Sequence, residues 1–224
     1  MMRRTVLRSI LLMSALAAGI TPALAATARE QTSDFFRAVQ MDDPGTVQSL
    51  LGKVDPNSTN PVGGEPALVL AVREGSMRVF DVLLGHPGTK LDATALNGNT
   101  ALMMAAFKNN KPAAEALIAK GAAVNRPGWT PLHYAAASGD NEIARLLLAH
   151  GARIDAESSP ASGRYTPLMM AAREGQQDTA LFLLKQGADP LLKNSEGLTA
   201  ARIAERADHG SIAAAIDKYV KQSR

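Results

Sequence analysis

An all-α solenoid of about six helix-turn-helix repeats, joined by β-hairpin or loop connections, is the fold the sequence predicts. Three observations carry that expectation: a motif that returns about every 33 residues, an aliphatic pair at a constant offset behind it, and an alanine-rich, ring-poor composition. Of the 224 residues 46% are hydrophobic, 4% are aromatic and 40 are alanine, so a core must come from closely approaching small-residue helices. Such a composition argues against a β-sandwich centred on large rings. With no cysteine, disulfide staples, thiolate zinc sites and a cysteine nucleophile are excluded.

The first element is an address rather than a fold. Residues 1–25 open with Arg3, Arg4 and Arg8, continue as an apolar stretch over 9–20 and close on Ala23-Leu24-Ala25, the pattern of a secretory signal peptide cleaved after Ala25. The stretch is too short to stay in a bilayer as an anchor. Its apolar residues surround the helical wheel, which argues against an amphipathic surface helix. Arg3-Arg4-Thr5-Val6-Leu7 also resembles a twin-arginine export signal, but paired arginines are common in ordinary basic leaders. Nothing in the sequence needs folding before export, so general secretion is the expected route and a bacterial periplasm the expected location. Cleavage removes three arginines and no acid, turning a formal charge of +3 into 21 basic against 21 acidic residues. A neutral mature chain lacks the positive excess that nucleic-acid binding requires. Neither nucleic acid nor a membrane anchor is therefore expected.

After a short linker, 26–30, the repeats occupy 31–224. TALMMAAFKN from Thr100, TPLHYAAASG from Thr130 and TPLMMAAREG from Thr166 align without a gap; PALVLAVREG from Pro66 and TAARIAERAD from Thr199 are weaker copies. Register places a first opening at Ser33, giving spacings of 33, 34, 30, 36 and 33 residues. Seventeen and eighteen residues after each opening come Leu50-Leu51, Leu83-Leu84, Leu117-Ile118, Leu147-Leu148 and Leu183-Leu184, and only Ile216-Asp217 breaks the pair. The approximate units are 31–57, 58–92, 93–125, 126–155, 156–190 and 191–224. On a helical wheel Leu132, Ala135, Ala136 and Gly139 share one face, where alanine lets a neighbouring helix approach closely. Thr130 suits an N-cap and Pro131 a first helical turn. Gly139, Gly175 and, at the same register, Asn109 are expected to end first helices in a left-handed conformation. Each unit leaves an apolar face that only a stacked neighbour can cover. The end units deviate as caps should: the first lacks the TPLH-like opening, and Tyr219 is expected to cover the last layer.

These residues resemble ankyrin repeats: the TPLHxAA opening, the following glycine, the leucine pair and the closing Gly-Ala at 121–122, 151–152 and 187–188. The resemblance spans roughly 31–224 and is strongest at TPLHYAAASGDNEIARLLLAHGA. It implies a binding module. It also implies that His133, at the family's TPLH position, is a structural hydrogen-bonding residue between neighbouring hairpins.

Catalytic constellations are missing. The histidines, His86, His133, His150 and His209, are dispersed over three units, and H-E-x-x-H, a phosphate loop with Lys-Ser or Lys-Thr, and G-x-S-x-G do not occur. The run 85–90, Gly-His-Pro-Gly-Thr-Lys, has the wrong order and reads as a turn. Met103-Met104 and Met169-Met170 raise a thioether copper site. Helix packing spaces units by roughly 10 Å, however, so pairs two units apart lie about 20 Å distant and cannot share an ion. Adaptable core filling is the simpler role. No enzyme activity, cofactor or metal is expected.

What remains is a surface for a protein partner. Seven and eight past the second to fifth openings come Arg73-Glu74, Phe107-Lys108, Ala137-Ser138 and Arg173-Glu174, pointing away from the buried face; Phe107 is the anomaly. Four past the opening come Arg37, Leu70, Met104, Tyr134, Met170 and Ile203. These form either a sticky groove or a row covered by flanking helices. The covered reading is favoured for Leu70 and Ile203. The 30-residue spacing shortens the loop at 125–129, and the 36-residue spacing lengthens the next over 157–165, so Trp129 lies beside a notch and Tyr165 at the base of a longer finger. Trp129 serves either as a binding ring or as cover for the loop's foot. The expected anchors are Phe107, Trp129, Tyr134 and Tyr165, with Met104 and Met170 adapting and Arg73 and Arg173 at the rim. The expected role is a monomeric accessory factor for a periplasmic enzyme; alternatives are an immunity or inhibitor protein against an antibacterial toxin and a secreted host-directed effector.

Overall fold

The computed structural model describes residues 22–222. The expected leader lies outside the described residues, apart from the backbone of 22–25 in the first turn of α1. Six consecutive helix-turn-helix pairs follow: α1 Pro22–Gln40 with α2 Pro44–Leu50, α3 Ala67–Glu74 with α4 Met77–Gly85, α5 Ala101–Phe107 with α6 Lys111–Ala119, α7 Pro131–Ser138 with α8 Asn141–Ala149, α9 Pro167–Arg173 with α10 Gln177–Lys185, and α11 Ala200–Arg206 with α12 Gly210–Gln222.

One backbone device turns every pair. Nine residues past each opening the chain is left-handed, at Asp42, Gly75, Asn109, Gly139, Gly175 and Asp208, with φ of 50, 76, 54, 81, 78 and 61°. Glycine adopts this conformation freely, and asparagine and aspartate tolerate it, so six different sequences make one reversal. The Thr100 and Thr166 hydroxyls each accept the N–H three residues on, at 3.3 Å, capping α5 and α9. Asp43, Asn110 and Asp140 cap α2, α6 and α8 in the same manner.

The first helices α1, α3, α5, α7, α9 and α11 pack in a row, and second helices pack behind them. Ala105, Ala106, Ala135, Ala136, Ala171 and Ala172 are fully buried between first helices, as are Leu83, Leu117, Leu147 and Leu183 beneath the second. Met103 and Met169 are among the largest buried side chains and fill this core. Leu70 and Ile203 are buried too, covered by the flanking helices. Phe35 and Phe36, edge to face with centroids 5.4 Å apart, close the first end. At the last, the Tyr219 hydroxyl donates to the Leu184 carbonyl at 2.8 Å, covering the final layer.

The connections differ from β-hairpins. No strand occurs among the described residues, only one isolated bridge between Thr59 and Pro66. Several fingers close on a single backbone bond at the foot, from Ala95 N–H to Asn99 O at 2.9 Å, Ser158 N–H to Tyr165 O at 2.8 Å and Asn194 N–H to Leu198 O at 3.0 Å. Arms this short cannot propagate a ladder. Side chains 24–26 residues past the openings bind the loops together instead. Asn57 accepts Lys90 N–H at 2.7 Å, Asp92 accepts Ala123 N–H at 2.9 Å, Asn125 accepts Arg153 N–H at 2.9 Å and Asp155 accepts Asp189 N–H at 3.1 Å. Among the described residues no helix is long and apolar enough to cross a membrane.

Candidate functional site

A cleft of about 290 Å³ opens across α5, α7 and α9, lined by Phe107, Trp129, His133, Tyr134, Ala137, Met170, Arg173 and Glu174. Its position follows from register. Its helical lining residues stand three, four, seven and eight past their openings, and the small Ala137 in the middle leaves the space. Phe107 is 52% exposed and meets Tyr134 edge to face at 6.2 Å. The Tyr134 hydroxyl donates to Asn99 Oδ1. Burial raises the Tyr134 pKa, against the Asn99 bond and the nearby Arg126 charge, so the phenol stays neutral.

His133 and Tyr165 form the cleft's support. Thr130 N–H donates to His133 Nδ1 at 3.1 Å, which leaves the proton on Nε2 to donate to the Tyr165 carbonyl at 2.8 Å. One ring thus ties the start of α7 to the foot of the next finger, as the resemblance implied. Desolvation pulls the His133 pKa down to about 4. Trp129 lies edge to face on this imidazole at 5.2 Å and stacks on Tyr165 at 6.4 Å. The three extra residues of the long finger make a 3-10 turn, Pro160–Ser162, followed by Gly163 at φ 91°. A Cβ at Gly163 would stand 2.8 Å from the Tyr165 ring, so glycine is needed for that ring to lie against the backbone.

Of the expected anchors, Phe107, Trp129, Tyr134, Met170 and Arg173 line one cleft. Three lie elsewhere. Tyr165 is only 8% exposed, its ring covered by the Arg173 guanidinium at 5.2 Å and by Trp129, so it backs the site rather than presenting a surface. Met104 is likewise 8% exposed and does not line the cleft, although Tyr134 and Met170 of the same row do. Arg73 is held by Glu65 and by Glu74 at 2.7 Å, outside the cleft. Trp129 fills both expected roles, covering the finger's foot and lining the cleft. Ala137 and Glu174 were visible only as members of the register, and the site contribution of His133 was hidden behind its structural one.

Among the described residues no group of three His, Asp or Glu side chains could hold a metal ion. Residues 85–90 form a turn closed by Thr89 N–H on the His86 carbonyl at 3.1 Å.

Comparison with known proteins identifies the architecture. A profile of ankyrin repeats (3 copies) matches residues 35–127, 68–158 and 123–194. The chain belongs to the ankyrin-repeat family. It is 35% identical over 118 residues to human transient receptor potential cation channel subfamily A member 1, covering 51% of this chain and 10% of the relative. To mouse RelA-associated inhibitor it is 50% identical over 62 residues, 26% of this chain and 8% of the relative. To human SH3 and multiple ankyrin repeat domains protein 1 it is 39% identical over 127 residues, 54% of this chain and 6% of the relative. The chain thus spans a tenth or less of these relatives' length, and the third is named for its multiple ankyrin repeats. The family is generally non-catalytic, and its repeats make this chain a protein-protein interaction module.

Proposed function

We propose that the chain is exported, loses residues 1–25 and binds a partner protein in a bacterial periplasm through the cleft of α5, α7 and α9, without catalytic chemistry of its own. The observation that carries the reading is Phe107. An aromatic ring half in solvent, beside Trp129 and Tyr134 in one depression, is a surface the fold does not need for its own core. Export rests on the basic, apolar and small-residue segments of 1–25. An accessory factor that holds or preserves a resident enzyme is the favoured role, since a neutral mature chain with a partly apolar cleft is suited to docking rather than steering. One relative is named as an inhibitor associated with RelA, which accords with repeats that act by binding another protein.

The test uses the mature chain from Ala26 as bait in a periplasmic extract, beside the Phe107→Asp variant with unchanged circular dichroism. The wild type should retain a protein that the variant loses, and the exported product should begin at Ala26. Equal capture by both, or a product retaining Met1, refutes the reading.

A further inference from the structure

We infer that the cleft takes an acidic segment of its partner, with a bulky apolar side chain seated among Phe107, Trp129 and Tyr134 and flanking carboxylates drawn to Lys108 and Arg126. The inference rests on the proposed binding role and adds the chemistry of what is bound.

The row at positions seven and eight carries the argument. In the second and fifth repeats this row holds Arg73-Glu74 and Arg173-Glu174, and each pair neutralises itself, at 2.7 and 2.8 Å. Between them the fourth repeat offers Ala137 and Ser138, whose hydroxyl is already given to the Ala106 carbonyl at 3.0 Å. The third repeat offers Phe107 and Lys108, both exposed, and no carboxylate among the described residues pairs with Lys108. At the finger end, Arg126 donates to the Gly98 carbonyl at 3.1 Å and likewise has no carboxylate partner. It lies close enough to Tyr134 to act on that hydroxyl. Glu174, the one carboxylate lining the cleft, is spent on Arg173.

The cleft therefore has an apolar floor and a self-cancelled Arg173-Glu174 pair on one side, while Lys108, next to Phe107, and Arg126, near Tyr134, stand outside its lining as two positive charges without a carboxylate partner. Coulombic complementarity favours carboxylates there and repels a basic segment, while the rings take the apolar anchor. At about 290 Å³ the space sits at the small end of ligand pockets and suits one large side chain.

Trp129 is the only tryptophan, so its emission reports occupancy of this site. The experiment selects a displayed random dodecapeptide library on the protein produced from the full-length chain, with Phe107→Asp and Lys108→Glu variants as counter-screens. Enriched peptides are then titrated against Trp129 emission. The expected consensus is a large apolar residue flanked by Asp or Glu, shifting the emission, binding about tenfold more weakly to Lys108→Glu and weakening as salt rises. A basic or uncharged consensus that still depends on Phe107 overturns the acidic chemistry and leaves the binding role standing. Enrichment that ignores Phe107 overturns both. A single-stranded oligonucleotide dodecamer that shifts Trp129 emission more than the peptides also overturns the inference, since it would make the two cations a phosphate site.

Discussion

His133 holds together two elements and the floor of the cleft, and its charge state is set by burial. Its folded pKa of about 4 lies below the ordinary imidazole value of 6.5, so the unfolded chain binds the proton more readily. The stabilisation is therefore complete above about pH 6.5 and is lost progressively as pH falls through the folded pKa, to a total of about 3 kcal/mol. Protonation would also place a second N–H against the Thr130 donor. NMR titration should find the His133 ring neutral down to about pH 5, and the urea midpoint should fall between pH 6.5 and 4.5. In His133→Gln that fall should be smaller, although the variant starts less stable. A His133 ring titrating near pH 6.5 would refute the account. The histidine's structural role was legible from the TPLH motif. Its place under Trp129 was not, because ring contacts between residues 129, 133 and 165 depend on how a finger folds rather than on helical register.

At the scale of elements, legibility follows periodicity. Alanine faces, leucine pairs and the left-handed reversals at Gly139, Gly175 and Asn109 repeat at constant offsets, and each is found where the spacing puts it. The cleft was half legible for the same reason. Phe107 and Arg173 share a register position, whereas Tyr165 is buried by a turn whose three extra residues have no counterpart in the other units. The loop-to-loop bonds have no fixed signature in the sequence, because their residue alternates between asparagine and aspartate and drifts by a position or two. Two members bond twice: Asn57 accepts Lys90 N–H at 2.7 Å and donates to the Gly88 carbonyl at 2.8 Å, and Asn125 accepts Arg153 N–H at 2.9 Å and donates to the Gly151 carbonyl at 2.7 Å. Asn125→Ala should cost about 1–2 kcal/mol in urea unfolding. Asn125→Asp, which keeps the acceptor, should lose less. Equal stability of the alanine variant and wild type would show that water replaces both bonds without loss.

For the molecule as a whole, a row of pairs that touch only their neighbours makes stability a sum of unit and junction terms. Damage at one end should therefore stay local. The last helix, α12, covers α10 and α11 with Ile212, Ala213 and Ile216 and with the Tyr219 hydroxyl bond. Ending the chain after Ala207 would bare the apolar faces of α10 and α11 that α12 covers. At about 1.5–3 kcal/mol for each large buried side chain, the net loss should be roughly 3 kcal/mol or more, with concentration-dependent self-association. The cleft reaches as far as α9 of the neighbouring fifth repeat, but Trp129 itself meets only the rings of His133 on α7 and of Tyr165 on the finger before α9, away from the helices that α12 covers. Its emission maximum below the unfolding transition should match that of the full chain. A shifted Trp129 spectrum in the truncated protein would mean that the array behaves as one cooperative body, and that a ligand at the cleft could be felt at the far end of the row.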